Sequence, residues 1–262
     1  MQTEVLHLST DNFEPVQLKK AVELLKKDEP IIFPTETVYG LGVPYHSSKA
    51  LERLNQLKKR DPKKPYTLHI AEKRDVYTFI PSLPPHIERV MDFFWPGPLT
   101  IILANGKGEK YGFRLPAHKV AQELIRQVGV PLCASSANPE GYSPPTTCEE
   151  ALKFFMDKVH LAIDSGPSVL RQASTVVDFS YPKFRVLREG IISAKMIQKV
   201  AGFQILFVCT GNTCRSPMAE ALFRHLFAQK LSISPEKLAD LGYMVRSAGI
   251  FAQPNTPANP LA

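Results

Sequence analysis

Short apolar runs that end in, or open from, small polar residues recur along this 262-residue chain. IIF (31–33) leads into PTET (34–37), VPLC (130–133) leads into ASSAN (134–138), and ST (174–175) opens STVVDF. Runs this short have strand length, and their β-branched residues suit a pleated surface. Between them lie stretches with apolar residues three and four apart, the spacing of one helix face. Strands alternating with helices predict an α/β sheet, and such sheets hold ligands at their strand ends. The 23 prolines sharpen the loop entries and favour this architecture over a helical bundle.

Read in order, EVLHL (4–8) is a strand, and Pro15 to Lys27 is a helix with Leu18, Ala21, Val22 and Leu25 on one stripe. IIFPTETVYGLGV reads as strand, tight turn, strand, with Gly40 and Gly42 allowing close backbone approach. Ser47 or Ser48 caps a helix carrying Ala50, Leu51, Leu54 and Leu57. Thr147, with Glu150 three residues on, has the pattern of a capping box. Further strands are expected at 66–70, in WPGPLTIILA, and at 130–136, 161–166, 174–180 and 184–190. Further helices are expected at about 85–94, up to about Gln127, and at 193–202. The pattern restarts at QILFVCTGNTCRSPMAEALFRHLFAQ, a buried strand, short loop and helix, with another strand in GYMVRSAGI (242–250). This restart predicts a domain boundary near 201–203.

The net charge is +7, which favours an anionic partner such as a nucleotide, RNA or a phosphorylated substrate. The N-terminal stretch has no signal-peptide pattern, and no apolar run reaches the ~18 residues of a membrane span. Cys133, Cys148, Cys209 and Cys214 form no CxxC pair, so no side-chain metal motif is expected, and reduced thiols predict a cytoplasmic protein.

The charge concentrates in KKRDPKKP (58–65), where a helical pattern passes into a strand. Lys58, Lys59, Arg60, Lys63 and Lys64 lie within seven residues. A cationic turn there suits a polyphosphate, because an arginine can grip two oxygens at once. The same run also reads as solvated surface charge or as a nucleic-acid patch. Arg114 and Arg188 stand alone in apolar surroundings, where burial is costly unless an anion pairs with them.

PTETVYGLG (34–42), Lys58-x-Arg60 with Ser136-x-Asn138, WPGPLT (95–100), FRLPAH (113–118), SSANPEGYSPPT (135–146), STVVDF (174–179) and VLREG (186–190) together resemble the YrdC-type threonylcarbamoyl-AMP synthases, in order over about residues 12–200. The resemblance implies a twisted mixed sheet with helices around a concave cationic cleft. It implies conversion of L-threonine, bicarbonate and ATP to threonylcarbamoyl-adenylate and pyrophosphate. A separate transferase then passes the group to tRNA. Magnesium is implied with the nucleotide, held mainly by phosphates. Lys58 and Arg60 match the phosphate grip, and Lys64, Asn138, Thr146 and Arg188 match the nucleotide side. Thr35, His69, Arg114, Ser136 and Ser174 match the threonine side, with Arg114 as the partner for the carboxylate. Lys59, Lys64 and Lys110 depart from the resemblance, which usually has glycine, asparagine and a small hydroxyl residue there. A binding module for tRNA or double-stranded RNA, without synthase activity, is the alternative. It has no need of the threonine-side set.

CTGNTCRS (209–216) fits C-x5-R-S between a strand and a helix. Backbone amides in such a loop cradle phosphate and lower the pKa of the first cysteine. With RSAGI (246–250) it resembles the low-molecular-weight protein tyrosine phosphatases, and Thr213 resembles the branch acting on phosphoarginine. Cys209 and Arg215 would be nucleophile and phosphate ligand. The resemblance also requires a late Asp-Pro loop. Asp240, the one aspartate after Cys209, lies in KLADLGY. An incomplete doubly wound βαβ segment with little turnover is expected.

Overall fold

The computed structural model describes residues 2–181, 184–253 and 257–259. Its strands are β1 (Glu4–His7), β2 (Ile31–Phe33), β3 (Gly40–Pro44), β4 (Thr67–His69), β5 (Leu99–Ala104), β6 (Lys110–Arg114), β7 (Leu132–Ser136), β8 (Leu161–Asp164), β9 (Thr175–Asp178), β10 (Arg185–Arg188), β11 (Gln204–Cys209) and β12 (Met244–Gly249). Its α-helices are α1 (Lys19–Lys26), α2 (Ser48–Lys58), α3 (Pro85–Phe94), α4 (Lys119–Val128), α5 (Cys148–Phe155), α6 (Ala194–Ala201) and α7 (Arg215–Leu231). Contacts divide the chain into two units, 1–83 with 94–193, and 84–93 with 194–262. Thus α3 and α6 group with the C-terminal segment. Among the described residues no helix is long and apolar enough to cross a membrane.

The first unit is built on one ten-stranded sheet in the order β1-β8-β2-β3-β7-β4-β6-β5-β9-β10. It is mixed: β1–β8, β2–β8, β4–β6 and β5–β9 pair in parallel, and β2–β3, β3–β7, β4–β7, β5–β6 and β9–β10 pair antiparallel. Alternation in the strands decides the layers. Ile31 and Phe33 of β2, Leu132 and Ala134 of β7, and Leu161 and Ile163 of β8 join one core with Leu18, Ala21 and Leu25 before and in α1, and with Val120, Ala121 and Leu124 of α4. Ile32 and Ala162, on the opposite parity, are also fully buried, and α5 packs against β2 and β8. Strands buried on both faces read as continuous apolar runs, as IIF does.

The expected helix 15–27 is divided: Pro15–Leu18 forms a 3-10 turn before α1 begins. Ser47 caps α2 by accepting from the Ala50 amide at 3.2 Å. The capping box before α5 forms in altered register. Thr147 accepts from the Glu150 amide at 3.2 Å, and the Glu150 carboxylate takes the amide and hydroxyl of Thr146, one residue earlier than the capping box predicts.

The second unit pairs β11 with β12 in parallel, with α7 between them in sequence. Arg89 of α3 donates to the carbonyls of Val200, Ala201 and Gly202 and so caps the C-terminus of α6. A Cβ on Gly202 would lie 2.1 Å from the Gly242 carbonyl oxygen, so this crossing needs glycine.

Candidate active site

A cleft of about 320 Å³ opens in the first unit where the strand ends converge. The β2–β3 turn brings Thr35, the end of α2 brings Lys58 and Arg60, and β4 and β6 bring His69 and Arg114 as parallel-register neighbours. Ser136 ends β7 opposite Gly40 of β3, Asn138 follows it, and Ser174 and Arg188 come from the start of β9 and the end of β10. A Cβ on Gly40 would stand 2.9 Å from the Phe33 ring, and that ring meets His69 edge-on at 5.8 Å. The glycine therefore admits the phenylalanine that supports the histidine. Lys64 and Thr146 are not among the residues that line the cleft.

On the cationic side, Lys58 is 3% exposed, and its ammonium donates to the carbonyls of Ser136 and Asn138, the latter at 2.6 Å. Burial first, and the charge of Arg60 second, bring its pKa down to about 8. Lys58 thus ties the end of α2 to the SSAN loop. Lys59 takes the left-handed C-cap conformation with φ 50°, a position where a Cβ is strained. Arg60 donates to the Pro65 carbonyl at 3.1 Å and lies 4.9 Å over the Tyr66 ring. Lys64 ion-pairs with Glu140, which does line the cleft. Thr146 spends its amide and hydroxyl on Glu150.

On the other side, Arg114 donates to Thr37 Oγ1 at 2.5 Å and lies 3.0 Å from Glu36 Oε1. Thr35 donates to the Val38 carbonyl at 2.6 Å. Arg188 grips the Ser174 carbonyl with Nε and Nη2 at 3.0 and 2.8 Å, and Ser174 Oγ meets Thr100 Oγ1 at 2.9 Å. Burial, then the neighbouring Arg114, bring the His69 pKa down to about 3, so its ring is neutral. Arg188, expected in apolar surroundings, is instead an exposed residue of the edge strand β10; partial burial of its guanidinium, then Arg114, lower its pKa.

The charged residues lining the cleft are Lys58, Arg60, Arg114 and Arg188 against one carboxylate, Glu140. Four lining residues carry a buried polar atom without a hydrogen-bond partner: Asn138 Oδ1, Ser135 Oγ, Arg60 Nε and Arg114 Nε. Buried polar groups are normally satisfied, so such a set points to a bound polar ligand. Thr100, Glu140 and Tyr142 also line the cleft. They lie inside WPGPLT and SSANPEGYSPPT, yet nothing in their residue type singles them out there.

In the second unit a separate cavity of about 370 Å³ is lined by Cys209, Thr210, Arg215 and Ser216, among others. Cys209 Sγ lies 2.8 Å from Ser216 Oγ and accepts from the Asn212 amide at 3.2 Å. The Ser216 hydroxyl and amide, then the Asn212 and Gly211 amides, bring the thiol pKa down to about 7. No acidic residue lines this cavity, and Asp240 stands exposed in the 3-10 turn Pro235–Leu241.

A mixed α/β sheet whose strand ends close around a cationic cleft defines a class that holds anionic small molecules. Residues 23–190 match the Sua5/YciO/YrdC family model, described as "Telomere recombination", and the chain belongs to that family. A putative threonylcarbamoyl-AMP synthase of Mycobacterium tuberculosis is 34% identical over 191 residues, covering 70% of this chain and 88% of that protein. The threonylcarbamoyl-AMP synthase of Bacillus subtilis is 32% identical over 71% of this chain and 57% of its own length. The fold also matches Pyrococcus abyssi Sua5 complexed with L-threonine, with TM-score 0.72 and 21% identity over 94% of this chain and 92% of that one. It matches Escherichia coli YciO with TM-score 0.66 and 24% identity over 74% of this chain and 99% of that one. Residues 204–262 match the low molecular weight phosphotyrosine protein phosphatase model.

Proposed function

We propose that this protein is an L-threonylcarbamoyladenylate synthase, joining L-threonine, bicarbonate and ATP into threonylcarbamoyl-AMP with release of pyrophosphate. The observation that carries the reading is the convergence of four cations, a neutral histidine and unpartnered polar atoms on one cleft. An adenylate-forming reaction needs its anions held in line and their charge neutralised more than it needs a strong base. Arg60 grips the phosphates and the departing pyrophosphate. Lys58 adds its charge beside them while fixing the SSAN loop, so its first task is positioning. Asn138 and Arg188 belong to the nucleotide side, whereas Thr35, His69, Arg114, Ser136 and Ser174 receive threonine. A neutral His69 suits the hydroxyl and amine of threonine, and Arg114 suits its carboxylate. Lys64 acts through Glu140, and Thr146 through the loop it anchors to Glu150.

Mg²⁺ enters with the nucleotide and is held mainly by its phosphates. The adenylate then passes to a transferase acting on tRNA. We place the functional division at 201–203, with a synthase domain over 1–201 and a phosphatase-like segment over 203–262. Four free cysteines suit a cytoplasmic setting. The Cys209 loop binds an oxyanion, and among the described residues no acid lines its cavity. Omission tests the reading: pyrophosphate should form only when ATP, L-threonine and bicarbonate are all present. Release that ignores threonine would refute it.

A further inference from the structure

Behind the wall of the cleft lies a charge that no cleft ligand touches. Glu36 sits in the turn between β2 and β3, 6% exposed, and does not line the cavity, whereas Arg114 does. Its Oε1 is 3.0 Å from Arg114 Nη2, yet neither carboxylate oxygen has an aligned hydrogen-bond partner. His118, four residues beyond Arg114, carries a buried and equally unpartnered Nδ1. It lies close enough for Glu36 to raise its pKa, against the burial that brings it to about 4. The turn is pinned from outside: the Leu170 amide donates to the Glu36 carbonyl at 2.8 Å, and the Ser168 hydroxyl donates to the Thr35 carbonyl at 2.9 Å. Glu36 is therefore a negative charge fixed in place by backbone contacts.

The charges around it balance in a telling way. An uncompensated buried guanidinium is strongly destabilising, and Glu36 supplies the counterion for Arg114. Arg188, near enough for Arg114 to lower its pKa, has only neutral partners, the carbonyl and hydroxyl of Ser174, among its hydrogen bonds. Meanwhile Nη2 of Arg114 is engaged by Thr37 and Glu36, and Nε is left without a partner.

We infer that Glu36 is a positioning residue: it holds the Arg114 guanidinium in the orientation that receives the substrate carboxylate. This rests on the threonine reading above. It predicts that Glu36 governs affinity for the carboxylate-bearing substrate and leaves ATP alone.

The test is direct binding, by calorimetry, of L-threonine in the presence of a non-hydrolysable ATP analogue. L-Threoninol, which lacks the carboxylate, and the analogue by itself are the controls. Glu36→Gln should weaken threonine binding roughly tenfold or more, the scale of a charge-assisted contact. Threoninol and the ATP analogue should bind as to the wild type, and Glu36→Asp should recover part of the loss. If Glu36→Gln fails to fold, Glu36→Asp carries the test, with a smaller loss of threonine binding and unchanged threoninol and ATP-analogue binding. Unchanged or tighter threonine binding in Glu36→Gln, or an equal loss for threoninol, would overturn the inference. Failure of the wild type to bind threonine would instead overturn the threonine reading on which it rests.

Discussion

The cleft of the first unit and the Cys209 loop of the second are both arginine-lined cavities at strand ends, but they differ in what stands behind them. In the cleft, Lys58, Arg114 and Ser174 are each at most 5% exposed, and their partners come from distant points of the chain. They are set by a sheet of ten strands. The Cys209 loop sits on a sheet of two strands, and its thiol is supported by residues at most seven positions away. Around it Leu206 and Val208 of β11 and Leu222 and Leu226 of α7 are all more than half exposed. A local loop can lower a thiol pKa by itself. Placing an acid, a base and a substrate together takes contacts that are far apart in sequence.

Substitutions can break this comparison. The largest effect is expected from Arg60→Ala, which should cut threonine-dependent pyrophosphate formation by about 10²–10³ or more, the scale of removing one oriented charge donor. Its melting temperature should stay near that of the wild type, since its side chain meets one carbonyl and the face of one half-buried ring. Next, Leu132→Ala in β7, fully buried, should cost about 2–5 kcal/mol, whereas Leu222→Ala on the exposed side of α7 should cost under about 0.5 kcal/mol. Equal losses in urea titrations would mean that the α7 face is covered in solution.

The pH dependence separates the units as well. His69 and His118 are held neutral in the folded state, with pKa values brought down to about 3 and about 4. The unfolded chain takes up these protons near pH 6.5 and the folded chain does not, so stability is full above that pH and falls below it. The slope approaches about 1.4 kcal/mol per pH unit for each histidine down to about pH 4. Urea titrations at pH 7.5 and 5 check this, and a flat profile would contradict it. Cys209 should be alkylated by iodoacetamide with a midpoint near pH 7, while Cys133 and Cys148, pushed up to about 12 by burial, stay unreactive in the folded protein. A midpoint near 9 would contradict the account of the loop. The smallest effect is Lys59→Gly, which should stabilise by about 0.5 kcal/mol, because relief of the left-handed strain outweighs glycine's greater unfolded freedom. Loss of stability would mean that the lysine side chain carries a compensating contact.

Much of this was legible from residue order. IIFPTETVYGLGV forms the β2–β3 pair, Ser47 caps α2, and Thr35, Lys58, Arg60, His69, Arg114, Ser136, Asn138, Ser174 and Arg188 line one cleft. What stayed hidden depends on contacts between segments distant in sequence. Lys58 reads as a phosphate ligand from its neighbours Lys59 and Arg60, but the fold lays it under the carbonyls of 136 and 138. Lys64 reads as part of the same grip, but Glu140, 76 residues later, claims it. The Glu150 carboxylate reaches Thr146 because the chain entering α5 presents that amide. Glu36 stands in the PTET turn that the residue order marks, but its pairing with Arg114 is not legible there, because it appears only once Arg114 is found beside it. The sheet order, with β8 between β1 and β2, is likewise a property of the packed layers.

The most direct test of the central claim is to follow the product itself. With ¹³C-labelled bicarbonate, L-threonine and ATP, mass spectrometry should find an adenylate that carries both the threonine and the labelled carbon, and Arg60→Ala should not make it. An adenylate without the label, or none from the wild-type protein under conditions where ATP binds, would contradict the synthesis assigned to this cleft.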